Sequence, residues 1–167
     1  GANGRWIFEI VERVRVMDRS GKGFEMASAD FSAEYRNCSF FGDHIALSAV
    51  LRGEPSDIES IRGRSESSRR RRLETQPRQP SAGCVFKNPP SIPAGKLIEE
   101  LGLKGQRAGG AEVSLIHGNF IVNAGGATAR DILELIGRIR ERAWSERGIA
   151  LETEVRIVGE GQPRAGV

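Results

Sequence analysis

The chain has few of the residues that staple or metallate small folds. Two cysteines in 167 residues, Cys38 and Cys84, cannot build a disulfide framework, and reducing surroundings are the simpler reading. The two histidines, His44 and His117, have no ligand spacing around them, so no metal centre is expected. No run approaches the roughly 18 apolar residues of a membrane-spanning helix, and the start has no secretory signal pattern. A cytoplasmic protein is expected. An initiator Met is missing too: Gly1-Ala2-Asn3-Gly4 leads quickly into Ile7-Phe8, as in the interior of a longer chain or a clipped one. There is no internal repeat.

What is present sets looser bounds. Hydrophobic residues make up 38%, enough for a core in one domain or two small ones. A formal charge of +3 suits an anionic ligand without implying nucleic acid. The 21 glycines suit a fold with many shaped turns.

Val14 and Val16 share one side of a predicted strand in residues 11–18. RSGKG (19–23) is a turn, and Phe24-Glu25-Met26 is the returning strand. In residues 45–51, Ile45, Leu47, Ala49 and Leu51 alternate onto one face of a third strand. Pro55 to Glu59 predicts a helix start, with Ser56 and Glu59 as a capping box. That helix turns very polar, and Arg69 to Arg72 repel one another, so they must face water or an anion. Pro77 and Pro80 end it.

A second helix is predicted over about 94–101, with Leu97, Ile98 and Leu101 on one stripe and Gly102 as the stop. Two short strands should flank His117-Gly118-Asn119, which reads as a turn. A third helix starts at the Thr128/Asp131 cap, carries Ile132, Leu135, Ile136 and Ile139, and ends before Gly148. The run IALETEVRIV (149–158) alternates as a last strand, with Glu152, Glu154 and Arg156 facing away from the core. Helices alternating with short strands predict an α+β domain over roughly 84–159, followed by a loose tail.

Several stretches, in order, carry a family resemblance: Tyr35-Arg36-Asn37-Cys38, Thr75-Gln76-Pro77, Ser81 through Pro89 and Ala94-Gly95-Lys96-Leu97. Others are Gly109-Gly110-Ala111-Glu112, His117 through Asn123, and Leu151-Glu152-Thr153-Glu154. Together they resemble the UDP-N-acetylenolpyruvoylglucosamine reductases, flavoenzymes of peptidoglycan precursor synthesis. The resemblance implies the end of an FAD-binding subdomain (1–80, with a basic helix and linker), then a small mixed α/β substrate-binding domain (81–159), then the tail (160–167). The glycine-rich N-terminal flavin-binding region of the family has no counterpart here. A C-terminal portion is therefore expected, its flavin region lying on a longer or second chain. The short separation of Arg36 from Cys84 matches the shorter branch of the family.

The same resemblance assigns roles. It implies reduction of UDP-N-acetylglucosamine enolpyruvate by NADPH through FAD, with Arg36, Cys84 and Glu154 as the catalytic groups. Gly1, Ala2, Gly4 and Arg36 would contact the flavin. Cys84 suits a proton donor, because a thiol with a reference pKa of about 8.5 stays protonated at neutral pH; the plainer reading is a small buried hydrophobe. Arg36 can pair with a carboxylate or enolate, or simply be a surface ion-pair partner. Glu154 is otherwise a surface glutamate. Lys87 and Asn88 could hold diphosphate or uridine oxygens, and Gln76 and Asn123 are further substrate-binding candidates, with Lys104 and His117 beside them. Two other functions stay open. One is a catalytically silent fragment with a structural or interaction role. The other is a polyanion-binding module built on RGRSESSRRRR (62–72), which has no aromatic residue for base stacking.

Overall fold

The structure, a computed structural model, describes residues 5–159. The tail 160–167 and the flavin candidates Gly1, Ala2 and Gly4 lie outside the described residues. The chain divides into two compact units between Arg62 and Gly63.

The first unit is a three-stranded antiparallel sheet, β1 (Val11–Met17), β2 (Gly23–Ala27) and β3 (Ile45–Leu51), in the order β2-β1-β3. The turn between β1 and β2 closes on Asp18, whose carboxylate accepts from the Ser20 and Lys22 amides at 2.8 and 3.0 Å. Val11, Val14 and Val16 are buried beneath Phe8, Phe24, Met26, Phe31, Phe40 and Phe41. The predicted face of β3 is not continuous. Pairing with β1 slips between Arg15 and Val16, so Ala46, not Leu47, stands opposite Val16, and Ala49 opposite Val14. A bulge breaks the alternation. All seven residues of β3 are exposed, and β3 is an edge strand without a charge or proline to blunt it.

Helix α1 (Ile58–Thr75) crosses from one unit to the other, with every residue exposed. At its start Asp57 accepts from the Ser60 amide at 2.8 Å.

The second unit is a four-stranded antiparallel sheet, β4 (Ser81–Cys84), β5 (Arg107–Ala108), β6 (Ala111–Val113) and β7 (Phe120–Asn123), in the order β4-β7-β6-β5. Helix α2 (Ala94–Glu100) buries Leu97 and Ile98, and α3 (Ala129–Arg147) buries Leu135, Ile136, Ile139 and Ala143. These side chains meet Val85, Phe86, Val113, Ile121 and Leu151 in one core. Both helix stops fall where the sequence put them, with Gly102 and Gly148 in the left-handed region at φ 66° and 63°.

The last predicted strand is not regular. Residues 149–158 make one isolated pairing, Phe86 with Thr153, although Ile149, Leu151 and Val155 still pack against the core. The bridge is carried by the residues flanking Phe86: Glu154 N–H donates to the Val85 carbonyl and Lys87 N–H to the Glu152 carbonyl, while the N–H and C=O of Phe86 itself face the side chain of Asn119 on the other edge. Pro89 and Pro90 follow at once and have no N–H to extend a ladder.

Helix α3 is tied to the β5–β6 turn through Asp131, whose carboxylate accepts from the Thr128 and Gly110 amides at 2.9 and 3.3 Å. A Cβ on Gly110 would lie 2.2 Å from the Gly125 carbonyl oxygen, and backbone cannot yield cheaply. Gly110→Ala should therefore cost about 1–3 kcal/mol, measured by denaturant unfolding. These hydrogen bonds hold the Asp131 carboxyl below its ordinary 3.8. Its contribution is present above that pH and is lost as pH falls through the lower folded value. Asp131→Asn should lower Tm at neutral pH and flatten the decline of Tm on acidification.

Candidate active site

Cys84 ends β4 at a bulge. Ser81 pairs with Val122 but Cys84 with Phe120, leaving one extra residue on β4, and Gly83 supplies the left-handed kink at φ 83°. Such bulges re-aim the next side chain. Cys84 is half-buried.

The two residues after it form a junction. Val85 N–H donates to the Asn119 carbonyl at 2.9 Å, while Val85 C=O accepts from Glu154 N–H at 2.8 Å. Lys87 N–H donates to the Glu152 carbonyl at 2.9 Å, and the two side chains form an ion pair. Cys84 and half-buried Glu154 therefore sit on either side of a single carbonyl group, although 85–87 and 152–155 are distant in sequence.

A cavity of about 250 Å³ opens beside this strand end, lined by Arg69, Arg72, Gln76, Arg78, Gly83 and Phe120. Three guanidinium-bearing side chains and an amide make it suited to an anion. Arg72 donates to Gln76 at 3.0 Å. Asn123 lies instead on a mostly apolar cavity of about 550 Å³ with Val85, Ile121, Ile136 and Val155. Its side-chain oxygen accepts from the Gly125 and Ala127 amides at 3.0 and 3.1 Å. The exposed Asn88 accepts from the first amide of α2, Ala94, at 3.0 Å. Lys104 pairs with Glu99 at 3.1 Å. Among the described residues no group of acidic, histidine and cysteine side chains could hold a metal ion, and no helix is long and apolar enough to cross a membrane.

Arg36 belongs to the first unit. It occupies a tight turn closed by Glu34 and Asn37, which exchange hydrogen bonds at 2.8 and 3.2 Å. Its φ of 58° makes it the described non-glycine residue with left-handed backbone, and its guanidinium lies 5.6 Å from the Tyr35 ring centre. An L-residue there costs roughly 1–2 kcal/mol, and strain of this kind collects where a side chain is needed.

The sequence pattern places Asn119 in a turn and does not reveal its part in the junction. It is 2% exposed, yet its partner Phe86 is far away in the chain, and no local pattern announces the pairing. Its neighbour His117 accepts the Asn119 amide proton on Nδ1 at 3.2 Å, which fixes the neutral ring with its proton on Nε2.

Two outcomes follow from these local geometries. Arg36→Gly should raise unfolding stability by about 1 kcal/mol through relief of the left-handed strain, read by denaturant titration against Arg36→Ala, which keeps that strain. Burial holds His117 below its ordinary 6.5. The folded state prefers the neutral ring, so its contribution is complete above that pH and is lost as pH falls through the lower folded value. The drop in Tm between pH 7 and 5 should be smaller in His117→Gln.

Residues 76–158 match the family "UDP-N-acetylenolpyruvoylglucosamine reductase, C-terminal domain". The chain is 45% identical over 163 residues to the UDP-N-acetylenolpyruvoylglucosamine reductase of Methylococcus capsulatus, covering 97% of this chain and 54% of that protein. It is 42% identical over 154 residues to the reductase of the same name from Moorella thermoacetica, covering 92% and 51%. The crystal structure of UDP-N-acetylenolpyruvylglucosamine reductase from Thermus caldophilus superposes with a TM-score of 0.77 at 38% identity, over 89% of this chain and 53% of that one. The chain thus spans about half the length of the curated relatives it matches. With its architecture, its second half and its ordered motifs all agreeing, the chain belongs to the UDP-N-acetylenolpyruvoylglucosamine reductase family.

Proposed function

We propose that the chain supplies the substrate-binding and proton-handling part of a reductase that converts UDP-N-acetylglucosamine enolpyruvate to UDP-N-acetylmuramate in the cytoplasm. The observation that carries this reading is the Val85 carbonyl, which accepts from Glu154 N–H immediately after Cys84, in a chain of this family. In this reading residues 1–80 complete the flavin-binding subdomain, with α1 as its basic linker, and residues 81–159 bind the substrate.

Bound FAD would supply the hydride chemistry, from NADPH to C3 of the enolpyruvyl ether. Among the residues assigned to flavin, Arg36 is the described one; an exposed guanidinium on a strained turn fits the carbonyl or phosphate oxygens of that group. The substrate gathers negative charge at C2 and its carboxylate as hydride arrives. Arg36 meets that charge, Cys84 gives its thiol proton to C2, and Glu154 completes the proton and enolate machinery. Lys87, Asn88, Gln76 and Asn123 bind the nucleotide sugar, and the arginine-lined cavity at Gln76 has the charge that a diphosphate needs. The relatives are roughly twice as long, so the rest of the flavin site comes from a longer or second chain. The exposed edge of β3 offers that segment unpaired backbone.

Cys84→Ala, tested in a flavin-loaded longer protein carrying this sequence, should leave flavin reduction by NADPH unchanged. Flavin reoxidation by substrate should slow by about 10²–10⁴-fold; an unchanged second half-reaction contradicts the role. The alternative, a catalytically silent fragment retaining part of the pocket, draws on the chain's half-length coverage of its relatives. A visible spectrum of the purified native protein separates the two. Bound flavin favours the reductase, and no flavin under conditions that retain it in a relative favours the fragment.

A further inference from the structure

We propose that Asn119 is a positioning residue for Cys84 and Glu154, acting through the backbone of Val85 and Phe86. Its catalytic consequence rests on the proposed role of Cys84; the positioning itself does not. An amide side chain this deeply buried is costly unless both ends are bonded. Both ends of Asn119 go to one residue. Oδ1 accepts from Phe86 N–H at 2.9 Å and Nδ2 donates to Phe86 C=O at 2.8 Å. Its backbone carbonyl takes Val85 N–H. One residue thus makes three hydrogen bonds to the two residues that follow Cys84. The remaining group of that pair, Val85 C=O, is then aimed at Glu154 N–H.

The arrangement replaces a strand partner by a side chain. β4 pairs with β7 as far as Cys84 and Phe120, after which the main chain turns toward 152–155. Asn119 is itself braced. Its N–H is held by His117, and buried Ser114 Oγ accepts from the Ile116 and His117 amides at 3.1 and 3.3 Å. The His117 ring lies on Gly95 at the start of α2, where a Cβ would come within 2.9 Å of the imidazole. The chemistry demands an amide here. Aspartate lacks the donor, leucine lacks both groups, and glutamine is a methylene longer.

The test reads Cys84 in the 167-residue chain with no flavin or substrate. Labelling by iodoacetamide is followed by peptide mass spectrometry, with Cys38 in the first unit as internal reference. Asn119→Ala should accelerate Cys84 labelling at least about fivefold while Cys38 keeps its rate. Asn119→Asp should do the same at pH 8. Near pH 5 its rate relative to the unsubstituted chain at the same pH should fall toward one, because a protonated carboxyl restores one donor and one acceptor. That acid rescue is a readout that loss of bulk packing would not produce.

Unchanged Cys84 labelling in folded variants would overturn the proposal. So would an Asn119→Asp ratio that ignores pH, or parallel acceleration at both cysteines, which would assign Asn119 to global stability alone. Failure here leaves the Cys84→Ala half-reaction test untouched, so the two readings fall separately.

Discussion

The structure of the second unit depends on how the Val85–Phe86 peptide segment is satisfied. Four backbone groups on two consecutive residues are bonded to Asn119 and Glu154. Buried backbone groups must be paired, and here no strand does the pairing. A side chain from one loop and a backbone amide from the C-terminal segment converge on them, with Val85 and Phe86 buried in the core. The same hydrogen bonds that close the core bring the Glu154 main chain against the residue that follows Cys84. Core packing and site geometry are therefore one constraint, and a change at the junction should alter both.

Charge is distributed differently. The arginines of α1 lie on a helix with no buried residue, so their ion pairs contribute little to stability. Arg36 sits on backbone strained by its own left-handed turn. Long, exposed side chains carry the charge in each unit, while the buried junction of the second unit fixes shorter ones.

Regular elements with local signals were legible in the sequence. The Thr128/Asp131 box, the glycine stops of α2 and α3, and the β1–β2 hairpin all rest on residues within a turn of one another. Elements that depend on a distant partner were not. The alternation in 149–158 is real, and Ile149, Leu151 and Val155 still face the core. Alternation reports which face is buried and says nothing about whether a neighbouring strand has hydrogen bonds to offer. The β3 face failed for a similar reason, because a bulge against β1 changes register without a mark in the sequence. Gly83 before Cys84 hinted at a shaped turn, but the closeness of Cys84 to Glu154 was legible only through the family's motifs. Asn119 left no local signal at all.

The Val85 carbonyl joins the Cys84 strand end to the Glu154 segment. Amide hydrogen exchange in the 167-residue chain, resolved by residue, tests this most directly. The Glu154 and Phe86 N–H groups should exchange as slowly as the amides of β7, opening only with the unit as a whole. If Glu154 exchanges at the rate of an exposed loop while β7 stays protected, the carbonyl does not hold the two segments together and the proposed site has no common frame.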